Sequence, residues 1–163
     1  MRYLFLFIFF FFSFQQKNLA SDIVNEFLIA QPHMSDSRFK ETVILMLSHD
    51  NEGAVGLVIN RPIKNMTIDK LFEESNIVPP KKILKKEITL YWGGPVKPEH
   101  IFFIHSSDYK SEDYILVNKD YTVTRAPKIL FDIINNIGPK EYIILSGIAI
   151  WSPGQLDLEI KKG

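Results

Sequence analysis

Hydrophobic residues in this chain are grouped in short runs, and each run ends at a small group of glycine, proline and polar residues. Runs that are rich in β-branched and aromatic residues and bounded in this way are typical of β-strands. We predict strands at 27–30, 42–49, 54–60, 87–92, 101–105, 114–117, 121–124 and 142–150. The second run is apolar at successive positions, which indicates a strand covered on both faces, and the last is apolar enough to lie centrally in a sheet.

The second and third strands are predicted to form a hairpin. Polar residues at 50–52 and Gly53 separate them, and glycine readily adopts the positive φ that such turns require. This four-residue loop sets the cross-strand pairs His49 with Ala54, Leu47 with Gly56 and Val43 with Asn60. Because Gly56 has no side chain, we also expect another part of the protein to approach closely there.

Three short helices are predicted. The first begins at 65–67 and carries apolar residues at helical spacing, namely Ile68, Leu71 and Phe72. The second spans 127–136, with Thr124 as its cap and an apolar face of Ile129, Leu130, Ile133 and Ile134. The third follows Ser152-Pro-Gly-Gln155, which fits a capping box with Ser152 as cap, Pro153 in the first helical position and Gln155 reaching back.

Residues 1–20 form a separate unit at the start of the chain. The stretch 3–14 is almost entirely leucine, isoleucine and phenylalanine, Arg2 precedes it, and Ala20 and Ser21 offer small residues for cleavage. As a helix, these twelve residues rise only about 18 Å, well short of the roughly 30 Å hydrocarbon core of a bilayer. We therefore predict a cleaved signal peptide, export to the periplasm and only transient membrane contact through this leader. An uncleaved anchor and a misassigned start codon are the alternatives.

Charge and cysteine content exclude several classes of protein. Loss of Arg2 and Lys17 with the leader leaves 17 of the 19 basic residues against 19 acidic ones. Nonspecific nucleic-acid binding requires an excess of cations, so direct binding to DNA or RNA is not expected. The lysines within 81–86 are typical of a solvated connection, and a contact with a partner or an anionic membrane is the alternative. The chain has no cysteine, so it has neither a disulfide framework nor a thiolate site.

The groups at the strand ends carry a resemblance to a known family. They are Phe27-Leu-Ile-Ala-Gln-Pro32, Gly53-Ala-Val-Gly56, Asn60-Arg-Pro62, Gly93-Gly-Pro-Val96 and Pro153-Gly-Gln-Leu-Asp-Leu-Glu-Ile160, with Asp36, Phe39, His49, His105, Gly147 and Trp151. In order and spacing they resemble the AlgH/YqgE family of bacterial proteins over nearly the whole chain after the leader. The resemblance implies an α+β fold, a single domain at 22–163 with a mixed, strongly curved β-sheet.

The resemblance also implies a family whose molecular activity is not settled. Its members are often labelled transcriptional regulators because of a link to exopolysaccharide control, without a DNA-reading motif. They generally lack a leader and look cytosolic, so a cytoplasmic location is the alternative to export. They also continue beyond the last helix into a tryptophan-containing segment and a final strand. For this chain, that difference predicts either a truncation or an unpaired sheet edge.

Histidines are the first candidates for acid–base or metal chemistry. The chain has four, His33, His49, His100 and His105, and no two have the i, i+4 spacing of ligands on one helix. No metal site is predicted, because its ligands would have to come from distant segments. His49 and His105 lie at predicted strand ends, where a hydrogen-bonded structural role is the main interpretation and a ligand contact is the alternative.

Serines and carboxylates give little support for catalysis. There is no Gly-x-Ser-x-Gly motif, and Ser48 and Ser106 diverge from the adjacent histidines if both lie on strands. Acidic groups such as Glu73-Glu74, Glu112-Asp113 and Asp157 with Glu159 are interpreted as solvated surface residues. The alternative function is nevertheless a hydrolase or transferase that uses His49 or His105 with a serine or a carboxylate.

Several groups at strand ends are candidates for ligand contact as well as for shape. Trp92-Gly-Gly-Pro95 could present successive N–H groups to an anion, although a tight turn explains the same glycines. Asn60 and Arg61 offer amide and guanidinium donors, and an ion pair between Arg61 and a carboxylate near the Gln155 helix is the alternative. Trp151 and Gln155 flank the final turn, where they either close a pocket or pack it.

We therefore predict a non-enzymatic binding or regulatory domain that uses no cofactor. Its partner is an unidentified protein or a small anionic ligand, recognised on one concave surface at which the strand ends converge. The candidate surface residues are His49, Asn60, Arg61, Gly93, Gly94, His105, Trp151 and Gln155.

Overall fold

The computed structural model describes residues 23–75, 77–78, 86–110 and 112–162. Within these ranges the chain forms nine strands and three helices. In chain order they are β1 (Phe27–Ile29), β2 (Val43–Asp50), β3 (Gly53–Val58), β4 (Pro62–Thr67), α1 (Ile68–Ser75), β5 (Glu87–Trp92), β6 (Val96–Ser106), β7 (Tyr114–Val117), β8 (Tyr121–Thr124), α2 (Lys128–Ile134), β9 (Tyr142–Trp151) and α3 (Gln155–Lys162). The predicted signal peptide and most of the lysine run at 81–86 lie outside the described residues.

All nine of these strands belong to one sheet. Seven follow the order β1-β2-β3-β9-β6-β8-β7, and β4 pairs with β5, which joins the sheet through β9. The β5–β9 pair is parallel and the other pairs are antiparallel, so the sheet is mixed. β9 contacts β3, β5 and β6, which confirms its predicted central position. The predicted α+β class is also confirmed.

The sheet curls into a half-barrel whose two ends approach each other. Asn25, which precedes β1, accepts a hydrogen bond from Asn118 Nδ2 at 3.1 Å and another from the Tyr121 hydroxyl at 2.7 Å. Asn118 and Tyr121 belong to the β7–β8 hairpin, which lies at the opposite end of the strand order from β1. The predicted strong curvature is confirmed. Apolar side chains fill the concave face, among them Leu45, Leu57, Phe102, Val123, Leu145 and Ile148.

The helices cover the convex face of the half-barrel. β9 shows the alternation directly, because Ile144 packs with α1 and α2 whereas Leu145 packs on the concave side. The apolar faces predicted for α1 and α2 are buried. On α3 Leu156 is buried against the sheet, while Leu158 and Ile160 are exposed.

The predicted start of the first helix at 65–67 is wrong. Those residues complete β4, and α1 begins at Ile68. β4 pairs with β5, with Met66 opposite Ile88 and Thr67 opposite Glu87. A partner strand that is distant in sequence decides the conformation here, and local sequence does not reveal that partner.

The predicted register of the β2–β3 hairpin is correct at its tip and wrong further along. His49 lies opposite Ala54 as predicted, but Gly56 lies opposite Met46 and not opposite Leu47. A β-bulge directly after Met46 adds one residue to β2 and causes the shift. The predicted close approach at Gly56 is confirmed, since a Cβ there would lie 2.7 Å from a side-chain carbon of β2.

Two predicted helix starts also differ from the structure. Thr124 does not cap α2, because Pro127 occupies the N-cap position and no side chain caps the helix there. α3 begins at Gln155 and not at Pro153, because Gly154 takes a positive φ of 70°. The predicted reach of the Gln155 side chain to the amide N–H three residues earlier is confirmed, at 3.1 Å.

Candidate functional site

The Trp92-Gly-Gly-Pro95 segment carries the chain across β9. β5 pairs with one side of β9 and β6 with the other, so the residues between them pass over the β9 backbone. A Cβ on Gly93 would lie 2.3 Å from the Gly147 carbonyl oxygen, and a Cβ on Gly94 would lie 2.1 Å from the Ile148 carbonyl carbon. Gly94 and Gly147 also have positive φ angles, of 155° and 77°. The crossing itself therefore requires these glycines.

The same segment uses its polar backbone groups inside the sheet. The Gly93 N–H donates to the Ser146 carbonyl at 2.8 Å, and the Gly93 carbonyl accepts from the Val58 N–H at 2.9 Å. An anion nest needs N–H groups that point away from the protein. The first glycine of the segment does not offer one.

Asn60 and Arg61 hold the loop that precedes β2. Asn60 Oδ1 accepts from the Val43 N–H at 2.8 Å, and Asn60 Nδ2 donates to the Glu41 carbonyl at 3.0 Å. The predicted backbone pair of Val43 with Asn60 is wrong. Because of the bulge after Met46, Ile59 takes that position, and its N–H donates to the Val43 carbonyl at 2.9 Å. Arg61 Nη2 donates to the Lys40 carbonyl, and Arg61 forms no ion pair within the described ranges. The alternative of an Arg61–carboxylate pair is thus not observed.

Three of the predicted surface residues meet at the end of β9, in a group that we call the α3 cluster. It consists of His49, Trp151, Gln155, Asp157 and Glu159. His49 Nε2 lies 3.3 Å from Asp157 Oδ1, and Trp151 Nε1 donates to Glu159 Oε2 at 3.1 Å. Gln155 Nε2 donates to Glu159 Oε1 at 2.9 Å. The His49 side chain is only 4% exposed, so these contacts fix α3 against the strand ends. The interpretation of Asp157 and Glu159 as merely solvated carboxylates is therefore wrong, because both bind side chains at the end of the sheet.

His105 lies far from the α3 cluster. It pairs with Tyr142 at the start of β9, whereas Trp151 ends that strand. Nine residues along an extended strand correspond to about 30 Å. The His105 side chain is almost fully buried, and its Nδ1 lies 2.9 Å from the Ser106 carbonyl oxygen. The eight predicted residues therefore occupy several separate places in the fold.

The arrangement supplies only part of what a catalytic pair needs. His49 has a carboxylate partner, but within the described ranges neither His49 nor His105 is hydrogen-bonded to a serine hydroxyl. The His49 Nδ1 and His105 Nε2 atoms are buried without a partner there. In the same part of the chain no three histidine or carboxylate side chains come together as metal ligands.

A partly buried network of Tyr109, Lys128 and Asp132 lies beside His105, with the Tyr109 and His105 rings 5.4 Å apart, and it gives no local signal in the sequence. The Tyr109 hydroxyl donates to Asp132 Oδ2 at 2.6 Å, and Lys128 Nζ donates to the same oxygen. Burial raises the pKa of Tyr109, and the hydrogen bond to Asp132 raises it further. Burial opposes ionisation of Asp132, but the hydrogen bonds from Lys128 and Tyr109 outweigh it and lower the pKa of that carboxyl.

We expect this network to make stability depend on pH in the acid range. Because the pKa of Asp132 is lower in the folded protein than in the unfolded chain, its contribution is fully present above about pH 4 and is lost as the pH falls through the folded pKa. Urea midpoints of the wild type and Asp132→Asn should therefore differ at about pH 6 and converge towards about pH 2. Exposed Asp120 is the control, and Asp120→Asn should leave the midpoint unchanged. A gap for Asp132→Asn that stayed constant with pH would contradict the assignment.

A cavity of about 350 Å³ opens on the concave face of the half-barrel, and we call it the concave cavity. Its apolar lining comes from five strands and consists of Leu47, Val55, Phe102, Ile115, Ile148 and Ile150. Its polar lining consists of Ser48, Lys97, His100 and Arg125. Among the described residues, no carboxylate lines it. The cavity thus combines an apolar floor with an excess of basic side chains.

Two of the basic residues of the concave cavity, Lys97 and Arg125, have no acidic partner within the described ranges. Arg125 Cζ lies 5.5 Å from the centre of the Phe102 ring, a cation–π distance. Lys97 has a positive φ of 50°, an uncommon conformation for a residue with a side chain. Neither forms an ion pair within the described ranges, and His100 Nε2 lies 3.6 Å from Glu99 Oε1 outside the lining. None of these three basic residues was among the predicted surface residues, because they come from two separate segments without a motif.

The chain shares its fold and sequence with proteins of one family. It matches the AlgH-like family model over residues 27–163. It is 35% identical over 147 residues to a UPF0301 protein of Jannaschia sp., covering 89% of this chain and 76% of that protein. A UPF0301 protein of Legionella pneumophila is 34% identical over 142 residues, with 87% of this chain and 75% of that protein covered. Among the described residues, no helix combines the length and hydropathy that a membrane span needs.

Two solved structures are similar to this fold. The solution structure of the AlgH protein from Pseudomonas aeruginosa superimposes with a TM-score of 0.66 at 34% identity, covering 83% of this chain and 70% of that one. A crystal structure of a protein from Corynebacterium diphtheriae has a TM-score of 0.64 at 19% identity, with 86% and 72% covered, and supports the fold alone. The resemblance carried by the strand-end groups is confirmed, and the chain belongs to the AlgH-like family.

Proposed function

We propose that this protein is a non-enzymatic binding domain whose concave cavity holds a ligand with an anionic group and an apolar body. The observation that carries the proposal is the lining of the cavity, in which basic side chains stand above an apolar floor without any carboxylate. Its volume of about 350 Å³ lies within the usual range of small-ligand sites.

Electrostatics favours an anion at this place. Lys97 and Arg125 approach the cavity as cations without acidic partners in the described ranges, and a bound carboxylate would supply the missing charge. The guanidinium of Arg125 lies near the Phe102 ring, which limits its freedom before a ligand arrives. Less ordering of the side chain is then needed on binding, and the planar fork matches a carboxylate.

Regulation and export are parts of the same proposal. We infer that regulation by this protein acts through occupancy of the cavity and a protein partner, without direct contact to nucleic acid. The signal-peptide interpretation of residues 1–20 stays a prediction, and under it the binding domain works outside the cytoplasm.

Binding of simple carboxylates tests this proposal. Isothermal titration with hexanoate should give measurable binding, whereas hexanol, which has a similar apolar body and no charge, should bind more weakly. Arg125→Gln should lower hexanoate affinity about tenfold or more, because a hydrogen bond to a charged group contributes about 1.5–3 kcal/mol. Lys119→Gln is the matched control, since Lys119 is 87% exposed and does not line the cavity. Equal binding of hexanoate and hexanol, or equal effects of the two variants, would contradict the proposal.

A further inference from the structure

The concave cavity borders β7, whose outer edge has no strand partner among the described residues. β7 is the last strand of the seven-strand path and pairs only with β8 among the described strands. Ile115 of β7 lines the cavity, and it is partly exposed together with its neighbours Tyr114 and Val117. Within the described part of the chain, the outer edge of β7 therefore has N–H and C=O groups without a strand partner directly beside the cavity.

A second edge without a partner strand lies on the other side of the cavity. β1 pairs with β2 as far as Leu45, and residues 25–26 continue the contact to Met46. Beyond that point no described strand pairs with the outer edge of β2, and Ser48 of this stretch lines the cavity. The cavity thus extends from β7 to the uncovered end of β2.

We infer that the natural ligand is an extended acidic peptide segment of a partner protein, which adds to β7 as a further strand. This inference rests on the proposed function and names its ligand class. Alternate side chains of a strand point to opposite faces, so every second residue of the peptide faces the concave cavity. Acidic side chains at those positions face the basic side chains of the cavity lining, namely Lys97, His100 and Arg125. No carboxylate among the described residues lines the cavity.

The choice of a peptide over a free small acid follows from the backbone. A small acid satisfies the cations and leaves the edge of β7 unpaired. An extended peptide satisfies both, since strand addition supplies main-chain hydrogen bonds and the cavity supplies the charge preference. Charge complementarity determines that the peptide is acidic, because a basic segment would place its cations against those of the cavity.

Four synthetic peptides and hexanoate test the inference on the full chain. The probe is a capped hexapeptide that alternates glutamate and valine, and its charge control alternates lysine and valine. A third peptide repeats the probe with N-methyl groups on the glutamate amides, and a fourth carries them on the valine amides. Because glutamate and valine amides point to opposite edges of the extended probe, one of the two methylated series must remove the N–H groups that face β7.

Binding of the probe more tightly than hexanoate is the expected result. At least one methylated peptide should lose about tenfold or more in affinity, since each main-chain hydrogen bond contributes about 0.5–1.5 kcal/mol. The lysine peptide should not bind, and hydrogen exchange should slow at the amides of Tyr114–Val117 when the probe is bound. Arg125→Gln should weaken the probe and hexanoate alike.

The possible failures are distinguishable. If hexanoate binds but the probe does not, or if both methylated peptides bind like the probe, the peptide inference is overturned and the proposed function stands. If exchange at β7 is unchanged while the probe binds, the inference is likewise overturned. If neither hexanoate nor the probe binds, both proposals are overturned.

Discussion

Gly94→Ala is expected to destabilise the fold by about 4 kcal/mol or more, which few single substitutions do. A Cβ at this position would lie 2.1 Å from the Ile148 carbonyl carbon and 2.2 Å from the Ala149 nitrogen. Both atoms belong to the backbone of β9, which is paired on both sides and has no room to withdraw. The φ of 155° adds strain for any residue with a side chain. Urea unfolding followed by circular dichroism measures the loss.

Gly154→Ala is the matched control for this substitution. Gly154 also has a positive φ, of 70°, but a Cβ there would have no atom within 4 Å. Only the backbone preference is then lost, which costs about 1–2 kcal/mol. Similar destabilisation by the two variants would contradict the close packing of Gly94 against the β9 backbone.

Phe103→Ala is expected to destabilise the protein by about 3–5 kcal/mol, through lost burial and the cavity that it leaves. Phe103 lies in the middle of β6, where it is fully buried and packs in the cluster that joins the sheet to α1 and α2. Its neighbours across the sheet are Thr124 on β8 and Ile144 on β9. Little rearrangement can fill the space, because strands on both sides hold the backbone in place.

Phe27→Ala removes the same side chain at the edge of the sheet. Phe27 is 49% exposed on β1 and makes a tilted ring contact with Tyr121 at 6.4 Å. Its loss should cost about 1 kcal/mol or less, since about half of the side chain already contacts water. If Phe27→Ala were as costly as Phe103→Ala, the edge strand and not the β6–β9 pair would hold the fold together.

Strand positions and the class of the fold could be predicted because their signals are local. The apolar run at 142–150 identifies β9, and the turn before Gly53 sets the pair His49–Ala54 correctly. The strand β4 and the bulge after Met46 could not be predicted in the same way. Both depend on contacts with strands that are distant in sequence, and such contacts override local preference.

The glycine groups were predicted correctly as determinants of shape, but a ligand surface did not follow from them. Gly93 and Gly94 are required for the crossing over β9, and the Asn60 side chain is hydrogen-bonded to the backbone of the loop before β2. The cations of the concave cavity come from strand β6 and from Arg125 after β8. The antiparallel pairing of β6 with β8 places Arg125 beside β6, so no local spacing in the sequence indicates this group.

A nitrogen-15 NMR titration of the full chain with hexanoate tests the central claim most directly. Amide shifts should change around the concave cavity, at 97–102, 115 and 125, and approach saturation with a single dissociation constant. The amides of α3 at 155–159, which do not line the cavity, should remain in place. Shifts centred on the α3 cluster, with the cavity amides unchanged, would contradict the account.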